Sequence, residues 1–352
     1  MRERGAKPAL AILRTHFRKS KDGGWVIETL KSIPLKPRSG SGDANFFAIE
    51  DDLVVESPAL VGTIKSVLGQ SIVPIVAHVP GERILRCLGT GFFISCSGLL
   101  VTAAHVITDP IERQYGSIKE LDNRTWNLGD LALGVMIPLN PIFQGSGYVF
   151  RDIEWAGFLA ERAEQPLPIA GVNLKLTSDT AICKVSPIAE DIPYQPLAIV
   201  QPGLAGTGMG VGKMATAIGY GEMREVELQR ESERVMSGDF FFDLHASTGV
   251  ILERFPDNVT SREVPAPGPC FSAALQLPAG MSGSPIFDDE RIYVRGVVSK
   301  GWVDASGPMK FGYGCMLAPS FGLTIGPLGN KTLRDLHQSD EHGFPRLRGP
   351  DL

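Results

Sequence analysis

The sequence lacks closely spaced cysteines. Its five cysteines are an odd number, are scattered along the chain and form no Cys-x-x-Cys motif (Cys87, Cys96, Cys183, Cys270 and Cys315). This distribution fits neither a disulfide framework nor a structural zinc site, so we expect neither a metal nor another cofactor. Free thiols that stay reduced are the simplest explanation, and they predict a cytoplasmic protein.

The sequence also lacks an apolar segment long enough to cross a membrane. The most apolar stretch, residues 91–107, is interrupted by polar residues and glycine (Ser95, Ser97, Gly98, Thr102 and His105). A membrane-spanning helix needs about 20 predominantly apolar residues, so no transmembrane segment is expected. The N-terminal residues contain neither a continuous apolar region nor a small-residue cleavage site, so no secretory signal peptide is expected.

Long stretches with the 3.6-residue period of an amphipathic helix are hard to find. Instead, 40 glycines and 26 prolines punctuate short apolar runs, which recur from about Ser71 onward. Examples are SIVPIVAHV (71–79), MATAIGYGE (214–222) and IYVRGVVSKGW (292–302). Such runs are typical of short strands joined by tight turns. The chain is therefore predicted to be all-β, as a barrel or a sandwich.

Charge is distributed unevenly along the chain. The formal net charge is −5, yet residues 1–40 carry ten Lys or Arg against three acidic residues. We treat residues 1–70 as a basic N-terminal arm or accessory segment, and residues 326–352 as a polar C-terminal tail. The arm either lies against the acidic body or in solvent, or it binds a macromolecular partner such as nucleic acid or anionic lipid.

Two motifs contain the residue types needed for nucleophilic catalysis. The first, GTGFFISCSGLLVTAAHVI (89–107), places His105 directly after an apolar strand and two alanines. A histidine in an apolar setting is, taken alone, more often a packed core residue than a base. The second, PAGMSGSPIF (278–287), places Ser282 among glycines. Taken alone, it also fits a flexible Gly/Ser loop.

Chemistry explains the glycines around Ser282. A serine hydroxyl is a poor nucleophile until a base takes its proton, and the developing oxyanion then needs backbone N–H donors aimed at one point. Gly280 permits the unusual backbone that turns its own N–H inward beside that of Ser282. The two motifs therefore contain the residue types needed for a nucleophile (Ser282), a base (His105) and an oxyanion hole (the N–H groups of Gly280 and Ser282).

These motifs resemble those of the chymotrypsin-like (PA clan) serine proteases. Residues 102–105 are similar to the family's T-A-A-H segment, and residues 280–285 to its G-x-S-G-[GS]-P nucleophile loop. GVVSKG (296–301) resembles the strand that lines the family's substrate channel. The resemblance implies a serine endopeptidase with two six-stranded antiparallel β-barrels and the active site between them, acting on a protein or peptide substrate.

The same resemblance implies a domain organisation. A trypsin-like protease domain would span residues 71–325. Its first barrel would lie at about 71–190 and its second at about 200–325.

The third catalytic residue of this family is a carboxylate that orients the imidazole. Asp130 and Asp179 both resemble the family's D-[ILT]-A-[ILV] strand entry. Asp130 follows His105 too closely to leave chain for the strands that normally intervene. The stretch after Asp179 resembles the connection into the second barrel. We therefore favour Asp179 and keep Asp130 as the alternative.

The resemblance also assigns substrate contacts on one strand. Ser299 would help to hold the triad aspartate. The backbone of Ser299, Lys300 and Gly301 would pair with the substrate as an added β-strand.

Specificity is predicted from the residue six positions before the nucleophile, Gln276. By family analogy it lies at the base of the pocket for the side chain that precedes the scissile bond. Gly301 and either Gly312 or Gly314 would form the walls. Because no acidic residue is placed there, we expect small to medium uncharged side chains to be preferred over strict Arg or Lys specificity.

The chain departs from the digestive members of the family at two positions. Val106 stands where they have a cysteine, and Met281 where they have an aspartate that receives a newly cleaved N-terminus. We therefore expect activity that does not depend on that ion pair, and a pattern nearer to bacterial trypsin-like and HtrA-type peptidases without a PDZ domain. Two alternatives stay open: a non-enzymatic binding module on this scaffold, and a regulated intracellular protease whose basic arm binds a partner or covers the groove.

Overall fold

The structure is a computed structural model. The residues it describes are 10–19, 25–34, 45–49, 54–57, 60–78, 82–112, 119–120, 125–127, 133–138, 147–162, 174–189, 192–200, 209–230, 236–255, 266–288, 293–302, 311–339 and 341–345. Strands dominate these ranges, as the sequence predicts. Of the helices in the described part of the chain, none has the length and apolar character needed to cross a membrane.

The N-terminal elements are two hairpins, one short strand and a helix. In chain order they are β1 (Leu10–Lys19), β2 (Trp25–Pro34), β3 (Phe46–Ala48), β4 (Val54–Ser57), β5 (Leu60–Thr63) and α1 (Ile64–Ser71). β1 pairs with β2, and β4 pairs with β5, both antiparallel.

The next elements form a closed antiparallel barrel with a short extension. They are β6 (Ile72–His78), β7 (Ile84–Phe93), β8 (Leu99–Thr102), α2 (Ala104–Glu112), β9 (Lys119–Glu120), β10 (Thr125–Asn127), β11 (Leu133–Pro138), β12 (Tyr148–Arg162) and β13 (Leu174–Val185). The barrel order is β11-β6-β7-β8-β13-β12, and β12 pairs back with β11. β10 and β9 extend the sheet beyond β12.

The following elements comprise the six strands of a second closed barrel and three short strands outside it. They are β14 (Met214–Gly221), β15 (Val226–Glu227), β16 (Gln229–Arg230), β17 (Met236–Ser237), β18 (Asp243–Phe255), β19 (Cys270–Ala273), β20 (Pro285–Phe287), β21 (Val294–Trp302) and β22 (Phe311–Met316). The order is β14-β20-β21-β22-β19-β18, and β18 pairs back with β14. The three short strands outside the barrel are β15, β16 and β17. The predicted pair of six-stranded antiparallel barrels is therefore confirmed.

The apolar runs of the sequence become the two barrel cores. All of β8 and nearly all of β6 are buried, because both faces of these strands are covered. One large apolar cluster fills the first barrel and includes side chains of the second, among them Ile218 and Val297. A second cluster lies within the second barrel and contains Met281. Burial of apolar surface across the junction stabilises the docking of the two barrels.

Segments outside the barrel strands attach to them. β3, which lies within residues 1–70, pairs with β18, and β15 pairs with β7 of the first barrel. After β22 come two 3₁₀ turns, the strands β23 (Thr324–Ile325) and β24 (Lys331–Thr332), and the helix α3 (Leu333–Gln338). Leu333 and Leu336 are buried in the large apolar cluster. The domain boundaries given above stay predictions.

Candidate active site

The pairing of β8 with β13 brings His105 and Asp179 together. β8 ends at Thr102, opposite Ala181, so Asp179 lies just beyond this pairing. α2 begins at Ala104, and the backbone N–H of His105 donates to Asp179 Oδ1 at 2.9 Å. The first N–H groups of a helix have no partner within it, so a carboxylate from a neighbouring strand satisfies one of them.

The Asp179 carboxylate also holds the imidazole ring. His105 Nδ1 and Asp179 Oδ2 are 2.8 Å apart, and the Ser299 hydroxyl donates to the same oxygen at 2.5 Å. Asp179 is only 1% exposed, whereas the His105 side chain is 21% exposed. The ring is thus oriented by a buried group while part of it still faces solvent.

Opposite charges shift the pKa of both groups. Burial acts to raise the pKa of Asp179, but the charge and hydrogen bonds of His105, with the Ser299 hydrogen bond, lower it below its usual value. Burial acts to lower the pKa of His105, but the charge and hydrogen bond of Asp179 outweigh this and raise it. The stability that ionised Asp179 contributes is therefore present above its unfolded pKa and is lost as pH falls through the lowered folded value.

Ser282 lies in a tight turn whose shape depends on two glycines. Gly280 and Gly283 have positive φ angles of 96° and 87°, which L-residues with a side chain rarely adopt. A Cβ on Gly283 would lie 2.0 Å from the carbonyl oxygen of Thr90. The Ser282 hydroxyl donates to the backbone carbonyl of Ser299 at 3.3 Å.

Two backbone N–H groups of this turn are available for a ligand. Within the described ranges, the N–H groups of Gly280 and Ser282 have no hydrogen-bond acceptor. They are the pair that the sequence predicts for an oxyanion hole. Donors that are already oriented and not engaged elsewhere are what stabilisation of a tetrahedral oxyanion requires.

A β-bulge places Ser299 between Asp179 and Ser282. Val298 pairs with Gly314 and Lys300 pairs with Tyr313, so Ser299 is an extra residue on β21. Bulges re-aim side chains and are frequent beside active sites. Here the bulge lets the Ser299 hydroxyl reach Asp179 while its carbonyl reaches Ser282.

The predicted substrate strand continues from this bulge. Pro285, the first residue of β20, pairs with Val297 on β21. Lys300 and Gly301 are exposed. The charge of Lys300 acts on the imidazole of His105, where it opposes the rise in pKa. This cation therefore lies near His105.

The predicted specificity residue, Gln276, lies between β19 and the turn that contains Ser282. Gln276 is half-buried, and its backbone N–H donates to the Ser247 hydroxyl at 2.9 Å. A Cβ on Gly312 would meet the side chain of Leu277, next to Gln276, whereas one on Gly314 would meet the core residue Phe271. Leu277 and Phe271 belong to the same buried cluster, so the choice between Gly312 and Gly314 as a pocket wall stays open.

Three other predictions concern the alternative aspartate, metal binding and the state of the cysteines. Asp130 lies outside the described residues. Among the residues whose positions are given, no group of three or more His, Cys, Asp or Glu side chains is arranged to hold a metal ion. All five cysteines are free thiols, four of them buried and Cys87 half-buried.

Sequence reasoning missed Thr90, which is fully buried. Its hydroxyl donates to the carbonyl of Gly280 at 2.8 Å and accepts the N–H of Tyr220 at 3.1 Å. The signal was present in the sequence, since Thr90 is a polar residue between two glycines at the start of an apolar run. Its partners lie in the other barrel, so the local pattern does not reveal them.

The fold and this arrangement define a serine endopeptidase of the chymotrypsin-like class, which acts on protein or peptide substrates. The profile of the trypsin-like peptidase domain family matches residues 89–297. Because this is more than half of the chain, the protein belongs to that family.

The solved structures that match this chain are distant in sequence. The crystal structure of Deg5 is 15% identical, with 71% of this chain and 85% of that chain covered and a TM-score of 0.37. The HtrA-type protease AlgW with a decapeptide is 11% identical, with a TM-score of 0.36. That match covers 72% of this chain and 63% of the AlgW chain. No curated protein matches this sequence.

Proposed function

We propose that this peptidase works through Ser282, His105 and Asp179. Ser282 Oγ attacks the scissile carbonyl carbon, and His105 Nε2 takes the hydroxyl proton as the bond forms. The carbonyl oxygen becomes an oxyanion held by the N–H groups of Gly280 and Ser282. The tetrahedral intermediate then collapses: the C–N bond breaks as His105 gives its proton to the leaving amine, and the acyl group stays on Ser282 Oγ. Water attacks the acyl-enzyme by the same steps in reverse order, which frees Ser282.

The observation that carries this proposal is the position of Ser299. Its hydroxyl donates to Asp179, and its carbonyl accepts the hydroxyl proton of Ser282. One residue therefore contacts both the orienting carboxylate and the nucleophile. A flexible Gly/Ser loop would give no reason for these two contacts to occur at one bulge.

The hydroxyl of Ser282 must change partner before it reacts. Its proton points to the Ser299 carbonyl at 3.3 Å, whereas transfer to His105 needs a direct contact of about 3 Å with Nε2. A substrate that adds as a strand to residues 299–301 presents its own N–H groups to this edge. In our proposal one of them takes the Ser299 carbonyl, and the Ser282 proton turns to the imidazole.

The remaining assignments belong to the same proposal. Gln276 forms the base of the pocket for the residue before the scissile bond, and Gly301 with Gly312 or Gly314 forms its walls. With no acidic residue among them, a small or medium uncharged side chain fits best. Lys300 contacts the substrate chain. The basic arm, residues 1–70, binds a macromolecular partner or covers the groove, which makes the enzyme a regulated protease. We also propose a cytoplasmic location, in which free thiols stay reduced.

Labelling with a fluorophosphonate tests the nucleophile. The reagent phosphonylates a serine only where a base and an oxyanion hole activate it. The wild-type protein is expected to be labelled, and the Ser282→Ala protein is not. Ser284→Ala is the matched control, because it removes a buried hydroxyl without a hydrogen-bond partner among the described residues, two positions away. Labelling that survives in Ser282→Ala but is lost in Ser284→Ala would identify Ser284 as the nucleophile instead of Ser282.

A further inference from the structure

We propose that Thr90 is a positioning residue for the oxyanion hole, which holds the nucleophile loop in the shape that leaves the Gly280 and Ser282 N–H groups free. This inference rests on the proposed role of Ser282. The Thr90 hydroxyl donates to the Gly280 carbonyl at 2.8 Å. The Thr90 backbone N–H donates to the Ser282 carbonyl at 2.7 Å. One residue thus holds two of the loop's carbonyl groups.

The other two carbonyls of the loop are held by backbone donors. Ala279 accepts from the N–H of Glu222 at 2.9 Å, and Met281 accepts from the N–H of Ser284 at 3.0 Å. Glu222 has a positive φ of 58°, a conformation that costs free energy for a residue with a side chain. Its backbone is thus held in an uncommon conformation while its N–H bonds to the loop.

Because each peptide group is planar, the hydrogen bonds to the loop's carbonyl groups fix the directions of its N–H groups. The carbonyl and the N–H of one trans peptide point in opposite directions within a rigid plane. A bonded Ala279 carbonyl therefore aims the Gly280 N–H, and a bonded Met281 carbonyl aims the Ser282 N–H. The intervening plane, between Gly280 and Met281, is held at its carbonyl by the Thr90 hydroxyl and at its N–H by the Pro278 carbonyl at 3.2 Å. If that plane turned, both neighbouring N–H groups would be re-aimed.

The Thr90 hydroxyl has its proton direction set by a third contact. It accepts the N–H of Tyr220 at 3.1 Å, which directs its own proton toward the Gly280 carbonyl. The Thr90 carbonyl in turn accepts the Thr102 hydroxyl at 2.7 Å. Because Thr90 is fully buried, water does not readily replace a lost hydroxyl, and its two partners would be left unsatisfied.

These contacts cross between the barrels. Thr90 lies on β7 and Thr102 on β8 of the first barrel, whereas Gly280 and Tyr220 belong to the second. The barrel that carries His105 therefore also sets the shape of the loop that carries Ser282. In this proposal the first barrel positions both the base and the oxyanion hole.

Thr90→Val tests this role, because valine has nearly the shape of threonine but no hydroxyl. Removal of an oxyanion-hole donor typically lowers kcat by about 100- to 1000-fold. Misaimed donors should cost up to that amount, so we expect kcat to fall between about 10- and 1000-fold with little change in KM. The affinity of a peptide aldehyde, which binds as a tetrahedral adduct, should fall in parallel. Thr90→Ser keeps the hydroxyl and should restore most of kcat.

Thr216→Val is the matched control. Thr216 is a buried threonine on β14, and its hydroxyl meets that of Thr248 at 3.4 Å rather than the nucleophile loop. It should lower the thermal midpoint without lowering kcat. A folded Thr90→Val protein with wild-type kcat and wild-type aldehyde affinity overturns the proposal. If Thr90→Val does not fold, Thr90→Cys, with a weaker donor of similar size, must give a kcat below that of Thr90→Ser.

Fluorophosphonate labelling separates this proposal from the one it rests on. A wild-type protein that is not labelled at Ser282 refutes the proposed function, and the role of Thr90 with it. A wild-type protein labelled at Ser282, with Thr90→Val labelled at the same rate, refutes only the role of Thr90.

Discussion

Asp179→Asn is the most informative single change in the proposed triad. The carboxylate accepts three hydrogen bonds, from the backbone and the ring of His105 and from the Ser299 hydroxyl. Asparagine has one oxygen and one NH₂ group in the same volume. If its oxygen keeps the backbone N–H of His105, its NH₂ faces Nδ1 of the ring. The ring must then accept at Nδ1 and carry its proton on Nε2, so it is unable to take the proton of Ser282.

The expected loss follows from this wrong tautomer. In triads of this kind the same replacement lowers kcat by about 10⁴-fold, which corresponds to about 5 kcal/mol of transition-state stabilisation. The acidic limb of the pH profile should move as well. Only neutral imidazole acts as a base, and the carboxylate holds the pKa of His105 above its usual value. Without that charge the pKa falls, so residual activity should persist to lower pH than in the wild type.

Asp109→Asn separates charge from orientation. The charge of Asp109 also raises the pKa of His105, but among the described contacts the ring nitrogen Nδ1 bonds to Asp179. Its replacement should move the acidic limb downward, with the high-pH plateau of kcat unchanged. The assay is kcat/KM from about pH 5 to about pH 9, across the range where histidine titrates, on a peptide cleaved in a proteome digest. Asp179→Asn with more than a tenth of wild-type kcat, or an equal loss in Asp109→Asn, would refute the assignment.

Two further predictions concern the packing around the site. A Cβ on Gly219 would lie 1.7 Å from the Ser284 hydroxyl, so Gly219→Ala should lower the free energy of unfolding by about 1–3 kcal/mol or more. In the double variant, Ser284→Ala should restore part of this loss. Purely additive losses in urea titrations would contradict the prediction. Burial raises the pKa of Cys87 to about 12 and raises that of Cys183 further. Alkylation of the folded protein should therefore be slow and should begin at half-buried Cys87. Peptide mapping that finds Cys183 modified first would contradict this packing.

The predictions of His105 and Ser282 depend on short motifs. His105 needs an apolar strand and small residues before it, and Ser282 needs glycines on both sides, because local backbone geometry presents these side chains. Asp179 required more, since two aspartates fit the same short pattern. Two arguments favour Asp179: Asp130 follows His105 too closely, and the stretch after Asp179 resembles the family's connection into the second barrel.

What the sequence did not reveal depends on contacts between distant residues. The bulge at Ser299 is a shift of one residue between β21 and β22, and nothing in VVSKGW marks where the shift occurs. The partner of Thr90 at Gly280 lies 190 residues further along the chain. The pocket walls are also hard to predict from the sequence, because Gly312 and Gly314 share a strand face. Only the packed structure shows that Gly312 lies beside Leu277.

Met281 illustrates how the nucleophile loop is supported without an activation ion pair. Relatives that are activated by cleavage hold this loop with an aspartate at the same position, whereas here Met281 is fully buried in the apolar cluster of the second barrel. On the first-barrel side, Thr90 holds the carbonyls on both sides of it. Apolar burial anchors the loop from one barrel and hydrogen bonds anchor it from the other. Docking of the barrels therefore supplies the constraint that a freed N-terminus supplies elsewhere, which is why we expect activity without cleavage ahead of the first barrel.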